Sequence, residues 1–308
     1  MAMLKRLYFT ALRRLIRKMA FPIGQALGFH VTLNHYYEPV PDTRRLSDNL
    51  WRRPSELRGL EMNESAQLRL LSLFASSYKS EYDAFPTSEA QASSPYEYHR
   101  QRQSFSAVDA EILYCMVRHF NPQRILEVGS GASSLLVAQA LRKNREQDKN
   151  CQCEYVAIDP YPGKAIRAGF PGLSALWPKA VQDIPLAEFQ KLRGGDILFI
   201  DSSHVLKIGS DVQYEFLEIL PRLHPGALVH MHDIFLPEEY PKHWVLKEKR
   251  FWTEQYLLQA FLAFNNAFEV LWAGNFMRLK HSRELEAAFG SYDADTSRPG
   301  SFWMRRAK

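Results

Sequence analysis

Eleven residues constrain this chain more than any other stretch: Arg124-Ile125-Leu126-Glu127-Val128-Gly129-Ser130-Gly131-Ala132-Ser133-Ser134. Asn121-Pro122 ends whatever precedes them, and Arg124 to Val128 is a run of strand formers. Gly129 and Gly131 follow at once, and Ala132 to Leu141 reads as a helix. Strand, glycine turn and helix start form the nucleotide-binding unit of an open α/β sheet. Glycines let the backbone approach a ligand closely, and the helix start offers unpaired N–H groups.

The residues after this unit extend the pattern. Glu154 to Asp159 reads as a second strand, Lys179 to Val181 as a short third, and Asp196 to Ile200 as an apolar buried fourth. Ala227 to Met231 is a fifth, entered through Pro225-Gly226, followed by Phe268 to Trp272 and Ser301 to Arg305. Helices are predicted over Pro185–Leu192, Asp211–Leu220 and Trp252–Asn265. Upstream, helices are expected from Glu64 to Tyr78 and from Ser106 to Phe120, where Ser106 reads as the cap. The expected fold is therefore α/β, Rossmann-like and mostly parallel, with helices on both faces. Polar side chains at the carboxyl ends of its strands would face the ligand crevice.

Composition excludes several classes. The chain has 308 residues, 46% of them apolar and 24% charged, as a folded soluble protein has. It shows neither a signal-peptide layout nor a run long enough to span a membrane. Three cysteines do not make a disulfide scaffold and fit a reducing, cytoplasmic compartment. Cys151-Gln152-Cys153 lacks the second pair a metal knuckle needs and reads as a strand edge. The net charge is +5, yet residues 1–30 carry six basic residues and no acid, which leaves the remainder at −1. The basic balance thus belongs to one segment and does not argue for nucleic-acid binding.

That segment has its own pattern. Leu4, Leu7, Tyr8, Ala11, Leu12, Leu15, Ile16 and Met19 recur at helical spacing with the cations between them. This predicts a basic amphipathic helix ending near Phe21-Pro22. It suits the anionic inner face of a membrane through residues 1–20, or packing on the protein or a partner subunit, and also resembles a mitochondrial presequence. The expected organisation is this helix within 1–28, a helical and loop extension over 29–104 serving as a substrate lid, and a main domain over 105–308.

The nucleotide is narrowed by details around the turn. Gly129-x-Gly131 lacks the third glycine of the dinucleotide fingerprint, with Ser134 in its place. The acid closing the second strand, Asp159, lies 30 residues after Gly129, against about 20 at a NAD site. Glu127 sits inside the first strand, and Gln182-Asp183 follows the third. Here the chain resembles class I S-adenosylmethionine-dependent methyltransferases over about residues 105–308. The resemblance implies S-adenosylmethionine as cofactor. It implies Glu127, Gly129, Ser130, Gly131 and Ser133 for the turn beneath the methionine part, Asp159 for the ribose, and Gln182 and Asp183 for the adenine. The chemistry suits these roles, because a vicinal diol donates well to a carboxylate and an exocyclic amine to a side-chain oxygen.

Asp201-Ser202-Ser203-His204 follows the fourth strand and His230-Met231-His232-Asp233 ends the fifth. Two carboxylates and two imidazoles at neighbouring strand ends need protons, partners or a metal. The pattern resembles metal-assisted bacterial sugar and natural-product O-methyltransferases similar to macrocin O-methyltransferase. That resemblance implies Asp201, His232 and Asp233 as ligands of a divalent ion. An imidazole suits Zn²⁺, Fe²⁺ or Mn²⁺ better than Mg²⁺. Transfer to a hydroxyl also needs a proton acceptor, and His204, oriented by Asp201, is the candidate base. His230 is not expected to share the face of His232 and reads as core. Lys207, Asp211, Tyr214 and Glu215 are expected at the mouth. Phe235, Tyr240, Pro241 and Trp244 offer an aromatic platform for a small-molecule or glycan acceptor. A homo-oligomer stays open. So do an N-methyltransferase or protein-modifying enzyme, and a non-catalytic cofactor-binding scaffold.

Overall fold

The computed structural model describes residues 15–101, 105 and 107–308. Seven strands form one sheet in the order β3-β2-β1-β4-β5-β7-β6. They are β1 (Arg124–Val128), β2 (Glu154–Ile158), β3 (Ala175–Trp177), β4 (Ile197–Ile200), β5 (Leu228–Met231), β6 (Phe268–Ala273) and β7 (Phe302–Arg306). The first five run parallel, and β7 pairs antiparallel with both β5 and β6. This is the expected Rossmann-like sheet. Its order reverses between β1 and β4, where such sheets hold their ligands.

The interior strands are almost wholly apolar because both their faces are covered. Ile125, Leu126, Ile197, Leu198 and Phe199 have no exposed surface. At the antiparallel edge Trp272 and Trp303 pair in register and are fully buried. Truncating either to alanine would remove about 3–5 kcal/mol. Helix α1 (Glu64–Tyr82) packs on this same body. Gln67 accepts from the Ala273 N–H at 2.8 Å, and the Tyr82 hydroxyl donates to the Ala288 carbonyl at 3.0 Å. Among the described residues, those of 53–240 and 252–308 thus make one compact unit, and 15–52 with 241–251 make a second. The sheet unit begins well before the expected boundary at residue 105.

In the second unit the backbone is helical from Ile16 to Ala26, first as a π-type turn and then as an α-helix from Phe21. It does not stop at Phe21-Pro22. Pro22 lies in the first turn of the α segment, where a missing N–H costs little. The end comes at Gly28, which has φ +82°, and the Phe29 N–H closes the helix on the Gly24 carbonyl at 2.9 Å. Residues 1–14, with most of the predicted basic helix, lie outside the described residues.

Other boundaries move for identifiable reasons. β3 falls at Ala175–Trp177, not Lys179–Val181, because Val156 to Ile158 pair with Ala175 to Trp177 and Pro178 then ends the run. Helix α2 spans Asp109–Phe120. Its expected cap, Ser106, lies outside the described residues. The Val108 N–H donates instead to the Glu111 carboxylate at 2.8 Å. Helix α3 continues from Ala132 to Gln147, and helix α4 covers Glu254–Leu262.

Beneath the glycine turn lies a buried acid. Glu127 is fully enclosed and accepts hydrogen bonds from Ser133 Oγ at 2.7 Å, Ser134 Oγ at 2.8 Å and the Tyr155 hydroxyl. It therefore ties β1 to β2 and to the first turn of α3. Burial raises its pKa, the three hydroxyls lower it, and burial prevails, pushing it up to about 7. A raised carboxyl pKa means that its stabilisation is full below the ordinary value of 4.5 and is lost as pH rises through about 7. The stability difference between wild type and Glu127→Gln, measured by urea unfolding, should therefore fall by about 1 kcal/mol from pH 6 to pH 8.5. A difference that is flat with pH would show that Glu127 is charged throughout.

Candidate active site

The glycine turn is fixed by a backbone contact. Gly129 has φ +83°, and a Cβ there would lie 1.9 Å from the Asp201 carbonyl oxygen. Only glycine lets the end of β1 pass so close to the end of β4. The Asp201 N–H donates to the Val128 carbonyl at 2.8 Å, and the Gly129 N–H to the Ile158 carbonyl at 2.9 Å. Three strand ends are thereby joined at one point.

Asp159, at the end of β2, faces this turn. Its Oδ2 accepts from the Ser130 N–H at 3.2 Å and from Ser130 Oγ at 2.5 Å, and its Oδ1 from the Tyr161 N–H at 2.7 Å. Oδ1 retains a second lone pair, while both of those on Oδ2 are taken. A cavity of about 580 Å³ opens here, bounded by Gly129, Ser130, Asp159, Gln182, Asp201 and Asp211. Gln182 crosses part of its rim, donating to the Gly209 carbonyl at 2.9 Å. Of the expected cofactor residues, Gly129, Ser130, Asp159 and Gln182 line the cavity. Glu127 and Ser133 bond to each other beneath it, Gly131 donates to Ser134 Oγ at 3.0 Å, and Asp183 is exposed outside it. Glu127, Gly131 and Ser133 bear on the cavity through the shape of the turn.

Behind the Asp201 wall of the cavity three side chains converge. His204 Nε2 lies 3.3 Å from Asp201 Oδ1 and 3.7 Å from Asp233 Oδ2. One donor atom from each of Asp201, His204 and Asp233 lies within 4.8 Å of the other two. Among the described residues no other three or more histidines, cysteines or acids meet this way. His204 is buried, and its Nδ1 lies 2.8 Å from Glu254 Oε2 on the first turn of α4. Glu254 belongs to no motif near Asp201 or Asp233, and the sequence reading missed it. The only available signal was an acid opening a helix, and that is common on electrostatic grounds alone.

The electrostatics follow from these contacts. Burial alone would lower the pKa of His204. The hydrogen bonds to Asp201 and Glu254 outweigh it and hold the imidazole well above its usual value. Burial alone would raise Asp201. The charges of His232 and His204, with the His204 hydrogen bond, bring it down to about 2.

His232 is drawn the other way. Its ring stacks on Phe105 with centroids 4.7 Å apart, and its Nε2 is 3.9 Å from Asp233 Oδ1. It lies outside the group of three, so His204 stands where His232 was expected. His230 is a core residue, stacked 4.0 Å from Phe199 and bonded to Ser301 Oγ at 3.1 Å. It does share a side with His232, however, for the two rings are 5.7 Å apart. A spacing of two residues along a strand keeps side chains on one face.

The expected mouth and platform divide similarly. Lys207 and Asp211 line the cavity. Glu215 is fully buried, and the Tyr214 hydroxyl bonds to the Ile184 carbonyl at 3.2 Å. Phe235 and Tyr240 are buried in packing, and the Tyr240 hydroxyl accepts from the Gln255 N–H at 3.0 Å. The aromatic beside the acidic centre is Trp252, whose ring lies 4.3 Å from that of His204.

Fold and site together define an open α/β protein with a nucleotide-sized cleft running into an acidic, histidine-containing centre. Residues 126–234, from β1 to just beyond β5, match the family model described as a methyltransferase domain. Over that stretch the chain is similar to methyltransferase domains. An uncharacterized protein of Archaeoglobus fulgidus is 29% identical over 200 residues, covering 62% of this chain and 87% of that one. Two solved structures are more distant. One is described as a CmcI-N160 apo-structure, with 14% identity, coverage of 74% of this chain and 84% of that one, and a TM-score of 0.37. The other is a putative methyltransferase from Thermobifida fusca YX, with 16% identity, 84% and 96% coverage, and a TM-score of 0.39. The strand order, not these likenesses, defines the fold.

Gly129→Ala tests the contact on which the site is built. The left-handed conformation and the clash with the Asp201 backbone should together destabilise the protein by about 3 kcal/mol or more. A urea midpoint unchanged from wild type would mean that the β1 and β4 ends are not so close.

Proposed function

We propose that this chain is an S-adenosylmethionine-dependent O-methyltransferase that acts on a hydroxyl of a sugar, glycan or natural product with the help of a divalent ion. One observation carries the reading: a single cavity runs from the nucleoside-type residues Asp159 and Gln182 to Asp201 of the acidic centre. At about 580 Å³ it falls within the range of small-molecule sites. The residues present fit the cofactor. Gly129 and Ser130 bring the backbone of the turn to the methionine part, Asp159 keeps an Oδ1 lone pair for a ribose hydroxyl, and Gln182 brings an amide towards the adenine. When bound, S-adenosylmethionine would supply a methyl group on a positively charged sulfur, open to in-line attack by a hydroxyl oxygen.

The acidic centre fits a divalent ion. Oxygen and nitrogen ligands about 2.1 Å from an ion stand about 3 Å apart when adjacent, and His204 Nε2 is 3.3 and 3.7 Å from the two carboxylates. Such an ion would lower the pKa of a bound hydroxyl. As a base, His204 would have to be neutral. Its carboxylate partners favour the protonated form when no ion is present, and an imidazolium cannot accept a proton. An ion displaces that proton, so we favour His204 as a ligand beside Asp201 and Asp233. The hydroxyl proton would then leave to water at the mouth of the cavity, because Asp201, brought down to about 2, is too weak a base to hold it.

A surface role accompanies this reading. Leu15, Met19, Ile23 and Leu27 recur every four residues and are 54–68% exposed, in a segment with six cations and no acid before residue 30. We propose that it rests on an anionic membrane surface at the cytoplasmic side, with no helix among the described residues long and apolar enough to cross.

Calorimetry should show binding of S-adenosylmethionine or its demethylated product and none of NAD. Asp159→Ala should weaken that binding by about 10–100-fold through lost charged hydrogen bonds. Asp233→Asn should weaken Mn²⁺ binding and leave cofactor binding intact. Transfer of labelled methyl to a panel of sugars and phenols should cease on chelation. Binding of NAD alone would overturn the cofactor assignment, and full activity after chelation would remove the metal. For the surface role, the full chain should sediment with phosphatidylserine vesicles but not with phosphatidylcholine vesicles, and an I23S/L27S variant should stay in solution. Failure of the unaltered chain to bind anionic vesicles would end that proposal.

A further inference from the structure

We propose that Glu254 is a positioning residue that presents Nε2 of His204 as the nitrogen donor of the Asp201–Asp233 site, so that the site selects Mn²⁺ or Zn²⁺ over Mg²⁺. This rests on the metal-assisted reading above and goes beyond it by assigning Glu254 and the class of ion.

An imidazole has two nitrogens, and a neutral one carries a proton on only one of them. The nitrogen that donates to a carboxylate is the N–H, and the other is left with its lone pair. Here Nδ1 is 2.8 Å from Glu254 Oε2, while Nε2 faces Asp201 Oδ1 and Asp233 Oδ2. Glu254 is 1% exposed, and its other oxygen has no hydrogen-bond partner. A carboxylate stabilising its own helix would turn to the N–H groups of that helix or to water. This one is buried and turned towards the imidazole.

The backbone is held to the same end. His204 has φ +60°, a conformation that costs a non-glycine residue about 1–3 kcal/mol. Its carbonyl accepts from the Thr253 N–H at 2.9 Å and from the Glu254 N–H at 3.2 Å. Thr253 Oγ1 accepts from the Leu206 N–H at 2.8 Å. Trp252 covers the ring at 4.3 Å. Residues 252 to 254 thus grip His204 by its carbonyl, its Nδ1 and its ring face, leaving Nε2 the one polar atom directed at the acids. Strain of this kind persists where the surroundings over-determine it, and here they all fix one nitrogen.

Two carboxylates and one neutral imidazole are a poor set for Mg²⁺, which favours oxygen ligands and water, and a good one for Mn²⁺ or Zn²⁺. Removing the outer carboxylate from such a histidine commonly weakens metal binding by 10–100-fold.

The test uses full-length, chelator-treated protein titrated with Mn²⁺ alone and with Mg²⁺ alone. Wild type should bind Mn²⁺ on the order of tenfold more tightly than Mg²⁺. Glu254→Gln and Glu254→Asp should each weaken Mn²⁺ by about 10–100-fold with a smaller change for Mg²⁺, narrowing the preference. The aspartate variant keeps the charge at the helix start but withdraws the carboxylate, which covers a failure of the glutamine variant to fold. Unchanged S-adenosylmethionine binding certifies the fold. In a His204→Ala background, Glu254→Gln should have no further effect on Mn²⁺. In ¹⁵N-histidine spectra of the Zn²⁺-loaded protein, His204 should carry its proton on Nδ1. The proposal falls if a folded Glu254 variant binds Mn²⁺ within about twofold of wild type, or if wild type prefers Mg²⁺. A wild type that binds neither ion removes this proposal and the metal together, while the cofactor assignment is decided separately by S-adenosylmethionine binding.

Discussion

The site depends on one steric fact, the passage of the Gly129 Cα against the Asp201 carbonyl oxygen. A Cβ in that place would sit at 1.9 Å. The contact draws the turn after β1 onto the end of β4, and parallel pairing of Val128 with Ile200 sets the register that brings it there. β2 joins through the Gly129 N–H and Asp159, and β5 through the His232 N–H, which donates to the Ile200 carbonyl at 3.0 Å. The glycine turn and the acidic centre therefore lie at one point of the sheet as a consequence of backbone packing. No side chain has to bridge them.

Much of this was legible because it is local in sequence. The strand, glycine turn and helix from Arg124 to Ala132 are consecutive, so propensity and turn chemistry suffice to read them. Asp159, Asp201 and Asp233 each end an apolar run, and parallel topology sends strand ends to one edge. β3 was displaced because only three residues pair there, and a short strand is defined by its partner β2 more than by its own sequence. The Ser106 cap fell outside the described residues. The Phe21-Pro22 stop failed because proline is tolerated in a first turn, a matter of position within the helix and not of residue type.

What could not be read is what depends on contacts across long stretches of chain. Glu254 reaches His204 over 50 residues, and nothing near His204 announces it. Which histidine faces the acids was equally hidden. His204 turns to them because residues 252 to 254 hold it in a left-handed conformation, whereas His232, adjacent to Asp233 in sequence, is held against Phe105. Adjacency along the chain was a poorer guide than the grip of a helix start. Glu127 shows the converse: its place in a cofactor-type motif was legible, but its burial under Ser133, Ser134 and Tyr155 was not.

Charge balance gives these pieces a common logic. Asp201, Asp233 and Glu254 surround the His204 imidazole, Asp201 and Glu254 both contact it directly, and His232 Nε2 lies 3.9 Å from Asp233. Even with both imidazoles protonated, three carboxylates leave an excess of negative charge in a partly desolvated place, and such an excess is costly unless cations offset it. Two kinds of cation answer it on the proposed function. A sulfonium at the Gly129 end would lie beside Asp201, and a divalent ion would lie among Asp201, His204 and Asp233. The sulfonium loses its charge when its methyl leaves, as a proton leaves the hydroxyl. The negative charge gathered at this point, costly by itself, is what would hold the sulfonium and the ion beside the hydroxyl.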